Sequence, residues 1–223
     1  MKLVKFVTII AVAAVAVSAF AQGGGGQRRG GFGNPFAVTS LLGRDEVKDE
    51  LKLTTDERTK LTDLQTSMGQ KRREMFQNLG IQFGPNMSDD DRKKMTDAGA
   101  KLTADQIKEI AGILTPDQFK RLKEISLQHE GNAAAADPVF QADLNITDDQ
   151  KAKIGELQKK QIAAMMELGQ KMRDGEMDQD GMRAAMAKNT EIMNSEIGKL
   201  LTDDQKAKIK SMGGAPFTLK EGN

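Results

Sequence analysis

The 223-residue chain has no cysteine, no tryptophan, no tyrosine and a single histidine. Its only aromatics are nine phenylalanines, and two of these, Phe6 and Phe20, fall within the first twenty positions. Without cysteine there is no disulfide framework, no thiolate metal site and no cysteine nucleophile. Structural zinc needs several ligands, and His129 is the one imidazole that could serve. A Ser-His-Asp triad would have to use that same residue. Aromatic platforms for stacking bases are almost absent, and a net charge of +1 leaves no electrostatic footprint, so no nucleic-acid partner is expected. The abundant residues are Lys, Glu, Asp, Leu, Ile, Ala, Gln and Met, a set that favours helices. Carboxylates are plentiful, but no pair stands out for acid–base work. The chain is therefore not read as an enzyme, and no cofactor is expected.

The N-terminus reads as an export signal. Lys2 and Lys5 precede an uncharged run from Phe6 to Ala21, which ends in the small-x-small triplet Ala19-Phe20-Ala21. The run is shorter than the roughly 20 apolar residues of a membrane span. Cleavage after Ala21 is expected, with no membrane span remaining, and a periplasmic or secreted location follows. Residues 22–43 read as a Gly-rich disordered linker, because GGGGQRRGGFG at 23–33 cannot bury enough apolar surface to order itself. ATP is not expected in such a compartment, and no phosphate-binding loop ending in Gly-Lys-Ser/Thr is present.

The remainder carries an internal duplication. LTTDERTKLTDLQ at 53–65 matches ITDDQKAKIGELQ at 146–158, an offset of 93. LTPDQFKRL at 114–122 matches LTDDQKAKI at 201–209, an offset of 87. The six extra residues of the first copy fall in a loop expected at Gly80 to Asn86, which contains Gly84 and Pro85. The expected units are helical repeat 1 (44–134) and helical repeat 2 (135–217), followed by a tail at 218–223. Each repeat is expected to hold a short helix (45–52; 138–144), a long helix (55–79; 148–173), a second long helix (89–113; 179–200) and a closing helix (116–129; 203–212). Apolar stripes at helical spacing support this, for example Leu61, Leu64, Met68, Met75 and Leu79. No segment alternates with period two for long enough to make a strand. The fold class is all-α, built from duplicated helical hairpins.

The recurring string is Leu-Thr-x-x-Gln, whose physics is helix initiation. A Thr at the N-cap accepts from a first-turn N–H, and a Gln or Glu three residues on reaches back to the N-cap N–H. Thr54 with Glu57, Thr115 with Gln118, Thr147 with Gln150 and Thr202 with Gln205 all fit. Leu53, Leu114, Ile146 and Leu201 precede them and are expected to plug the core. Asp56, Asp117, Asp149 and Asp204 put negative charge in the first turn, where the helix dipole favours it. A fifth match, Leu102 to Gln106, falls within a long helix and reads as coincidence.

Four such motifs framing helical hairpins behind an export signal resemble the Spy/CpxP family of periplasmic proteins. The resemblance covers about 44–130 and 137–214. It implies a small, exported, all-α protein that acts as an ATP-independent chaperone or an envelope-stress adaptor, with unfolded or envelope proteins as partners. Relatives in that family also bind zinc or sense heavy metals. The chain departs from the pattern in holding two family-like units and in having Glu57 where Gln is usual. The duplication suggests that one chain builds internally what the family builds by dimerisation; a monomer with pseudo-twofold symmetry and a homodimer both stay open.

The duplication also marks a candidate protein-binding surface. Lys71, Arg72 and Arg73 align with Ala164, Met165 and Met166. Positions charged in one copy are poor candidates for deep core in the other. Met165 and Met166 then read equally as an adaptable apolar capture surface or as filler in a core poor in aromatics. Seven methionines between 165 and 193 raise Cu(I) handling as an alternative function, since thioethers suit that ion. The spacing also fits any packed helix face, so no metal ligand is assigned. Asp174, Glu176, Asp178 and Asp180 alternate like a calcium loop, but Ala185 stands where the bidentate Glu belongs. A purely structural helical module is the remaining alternative.

Overall fold

A computed structural model describes residues 37–81 and 88–219. The export signal, the Gly-rich run and most of the loop expected at Gly80 to Asn86 lie outside the described residues. Those described are helical, with no strand among them. In chain order the helices are α1 (Val38–Leu41), α2 (Asp45–Glu50), α3 (Thr55–Leu79), α4 (Asp89–Ile113) and α5 (Pro116–Glu130). After a 3-10 segment (Gly131–Ala136) come α6 (Pro138–Gln141), α7 (Asp148–Arg173), α8 (Gln179–Leu200) and α9 (Asp203–Met212).

Two compact units form. One is Thr147–Leu201, containing α7 and α8; the described residues of the other are 37–81, 88–146 and 202–219. This division cuts across the repeats expected at 44–134 and 135–217. Helix α9, the last element of the second repeat, packs on α5 and the 3-10 segment. The linker boundary at 43 also moves. Val38, Leu41 and Leu42 are buried, and α1 packs on α4 and α5, so order extends to at least residue 37.

In the larger unit α3 and α4 pair along their length, with a Lys71–Glu109 ion pair at 3.0 Å between them. Leu61, Leu64 and Met68 of α3 and Met95 and Ile110 of α4 are buried, whereas Met75, Leu79, Leu102 and Ile113 of the same stripes are half-buried. Around α5 and α6, Leu122, Ile125, Phe140 and Leu144 have no exposed surface. Asp137 caps α6 by accepting from the Val139 N–H at 2.9 Å. Burial holds its carboxyl above the ordinary range, against that hydrogen bond and the charge of Lys123.

Residues after α9 form a strap across α5. Gln128 donates to the Gly213 and Ala215 carbonyls and accepts from the Phe217 N–H at 2.8 Å. Arg121 donates to the Ala215 carbonyl at 2.8 Å while pairing with Glu50 and Glu124. His129 Nε2 lies 3.1 Å from the Phe217 carbonyl, so the lone imidazole helps hold the strap. Gly214 has φ +65°, and a side-chain carbon there would overlap the Glu124 carboxylate; only glycine fits both constraints.

The smaller unit is a two-helix hairpin. Asp174 to Asp178 join α7 to α8, Gly175 turns at φ +74°, and the Asp178 carboxylate accepts from the Gly181 N–H at 2.7 Å. This acidic run is thus a turn followed by a helix cap. Ile154 and Gln161 of α7, and Asn189, Met193 and Ile197 of α8, are buried. Between 162 and 188 no side chain is buried.

Candidate functional site

The four motifs place their side chains alike because Thr at an N-cap takes extended backbone while its hydroxyl faces the first turn. Thr54, Thr115, Thr147 and Thr202 each accept from the N–H three residues on, at 3.2 to 3.3 Å. Each N-cap N–H donates back to the side chain of Glu57, Gln118, Gln150 or Gln205, at 2.7, 2.8, 3.0 and 2.9 Å. All four are complete capping boxes. Leu53, Leu114, Ile146 and Leu201 ahead of them are 5 to 6% exposed and enter the core. Leu102 to Gln106 lie inside α4 and start no helix.

The motif glutamines do a second job that the local sequence does not show. While Oε1 closes the capping box, Nε2 donates to main-chain carbonyls far away in sequence. Gln118 reaches Leu51 at 3.3 Å, Gln150 reaches Leu200 at 2.8 Å, and Gln205 reaches Leu144 at 3.3 Å and Asn145 at 3.2 Å. Leu51 and Leu144 stand at matching repeat positions. A glutamate could cap but could not clamp, because an ionised carboxylate has no donor. The choice of Gln over Glu at three of the motifs was the available signal.

Glu57 accounts for its own departure from the pattern. Its carboxylate accepts from Gln118 Nε2 at 3.2 Å, so at this position an acceptor is what the neighbour needs. The Thr54 backbone N–H is the main influence holding its carboxyl below the usual range, and the Gln118 amide adds to it.

The candidate protein-binding residues fall in both units. Lys71 is exposed but engaged with Glu109, Arg72 is half-buried, and Arg73 is exposed with Nε donating to the Gly69 carbonyl at 3.3 Å. Lys71, Asp105, Lys108 and Glu109 line a shallow open hollow of about 400 Å³ with charge of both signs. Met165 is half-buried, and its sulfur accepts from Asn189 Nδ2 at 3.4 Å. Met166 is 37% exposed, the one large hydrophobic side chain classed as exposed among the described residues. The aligned pairs Arg72/Met165 and Arg73/Met166 thus share their degree of exposure.

Among the described residues no three His, Asp or Glu side chains gather as a metal site. No helix among them is long and apolar enough to cross a membrane. What the fold defines is an all-α protein of capped helical hairpins. No family model, no curated protein and no solved structure matches the chain.

Proposed function

We propose that this is an exported, ATP-independent protein of Spy/CpxP type that captures unfolded or partner proteins of the envelope. The observation that carries the proposal is the outer half of the α7–α8 hairpin. Over 162–188 it presents Ile162, Leu168 and six methionines, and none of these side chains is buried. A two-helix layer with partly exposed, flexible thioethers can mould to varied apolar segments. In the larger unit, the charged hollow lined by Lys71, Asp105, Lys108 and Glu109 is a separate surface offering attraction of either sign that salt screens. Neither surface encloses a small molecule, and broad, open contact fits chain capture better than a shaped pocket would.

The test is light scattering from a denatured client diluted into buffer containing chelator and no ATP. Suppression near stoichiometric amounts of protein, weakened by added salt, is the expected result. No suppression at several-fold excess would remove the proposal. A rise in melting temperature on adding Cu(I), without any effect on clients, would move the weight to metal handling.

A further inference from the structure

The chain offers oxidants a narrow choice of targets. With no cysteine, tryptophan or tyrosine and 13 methionines, the thioether is its main oxidisable side chain. Among the described residues Met75 and Met212 are half-buried and stand apart in the larger unit; the other methionines form two groups. Met68, Met95 and Met193 are 3 to 5% exposed and sealed in the helix packing. Met165, Met166, Met172, Met177, Met182 and Met186 all escape burial, and all lie within one 22-residue stretch of the α7–α8 hairpin.

That stretch is also where the hairpin has least to hold it. Met165 and Met172 are seven residues apart on α7, and Met182 and Met186 are one turn apart on α8. Asn189 Nδ2 on Met165 Sδ fixes the register of the two helices, so the methionines nearer the turn face the same seam. No side chain is buried between 162 and 188, so packing there rests on partly covered thioethers and a few aliphatic neighbours. Regions with few buried contacts open at low free-energy cost.

We infer that the methionines of the outer α7–α8 hairpin are a sulfoxidation site for two-electron oxidants of the hydroperoxide class, and that their oxidation parts the two helices over 162–188. In the reaction the thioether sulfur attacks a peroxide oxygen. An S–O bond forms, the O–O bond breaks, sulfur gives up two electrons, and the leaving hydroxide takes the proton of the transferred oxygen to depart as water. Each product sulfoxide is polar and a strong acceptor where an apolar, flexible group had filled the seam. Several such changes in one seam remove the apolar contact that the stretch depends on. The inner half, with Ile154 and Ile197 at 2% and 0% exposure, keeps its packing. This inference does not depend on the chaperone proposal.

Hydrogen peroxide is the probe. Peptide mass spectrometry of the treated full-length chain is expected to show the six hairpin methionines gaining oxygen about tenfold faster than Met68, Met95 and Met193. Amide exchange on the oxidised chain should then show protection lost over 162–188 and kept in the first turns of α3 and the middle of α5. A Met165→Leu/Met172→Leu/Met182→Leu/Met186→Leu variant keeps side-chain volume and should hold its protection under peroxide. Equal oxidation rates in the two groups would overturn the inference, as would full sulfoxidation with unchanged exchange over 162–188. Both readouts on the unsubstituted chain decide the matter even if the variant fails to fold. A folded variant that still loses protection would equally overturn it.

Discussion

Replacing Gln205 with Glu is expected to destabilise the fold by about 2–4 kcal/mol near neutral pH, and by far less in acid. Gln205 is 8% exposed, with Oε1 closing a capping box and Nε2 donating to the Leu144 and Asn145 carbonyls. The substitution keeps the cap and destroys the clamp. A carboxylate oxygen would then face two carbonyl oxygens at the 3.2 to 3.3 Å that the amide now occupies. Removing a donor so that buried acceptors go unpaired costs more than an average hydrogen bond returns, and burying charge adds to it. Burial and the facing dipoles would raise the new carboxyl's pKa above the roughly 4.3 of an unfolded Glu. A raised folded-state pKa means that the native state holds the proton more tightly. The penalty is therefore complete above the raised value and fades as pH falls toward the unfolded one, where the protonated acid can donate again. Urea unfolding at about pH 7 and about pH 4 reads the difference. A change of less than about 0.5 kcal/mol at both pH values would mean that Gln205 is only a cap, because Glu closes a capping box equally well.

Phe140→Ala is expected to cost about 3–5 kcal/mol, the other large effect. The ring has no exposed surface and sits on a helix of four residues, α6, which cannot shift to fill the void without breaking its own anchors. Those anchors are the Asp137 cap and the hydrogen bond from the Leu144 N–H to the Phe140 carbonyl at 2.8 Å. The ring also lies 5.7 Å from the Lys123 ammonium, which pairs with Asp143. Losing it removes apolar burial, opens a cavity and strips Lys123 of a cation–π neighbour worth about 0.5–1 kcal/mol. Far-UV circular dichroism in denaturant is the measurement, since no Trp or Tyr is present to report. A loss below about 1 kcal/mol would show that the site collapses freely.

Much of the helical frame was legible because its ends are written locally. Thr54, Thr147 and Thr202 start α3, α7 and α9 where capping chemistry requires, and Ser88 and Asp178 cap α4 and α8 in the same way. Short elements without a period were not legible. Helix α1 has four residues and follows a glycine-rich run, so composition hid the burial of Val38 and Leu41. The 3-10 segment is mostly alanine, which carries no pattern, although Ala134 and Ala135 have no exposed surface.

Long-range partners were least legible of all. The glutamine clamps join residues 50 to 67 positions apart, and the strap bonds reach 85 to 94. Repeat logic assigned α9 to the second repeat, whereas its packing against α5 is set by tertiary contact. At the candidate binding surface, alignment of charged with apolar positions left Met165 and Met166 evenly between surface and core; Met166 is exposed and Met165 half-buried. The alignment could not show that Glu109 already holds Lys71, because that pairing depends on how α3 and α4 lie together.

The most direct test of the capture proposal is the affinity of a labelled unfolded client for the chain and for its Met166→Glu variant. Met166 is exposed, so stability should be unchanged, and urea unfolding checks this. Losing an apolar contact and adding a charge on the proposed capture surface should weaken binding by about five- to tenfold, on the order of 1 kcal/mol. Unaltered affinity in an equally stable variant would contradict the assignment of client capture to the outer α7–α8 hairpin.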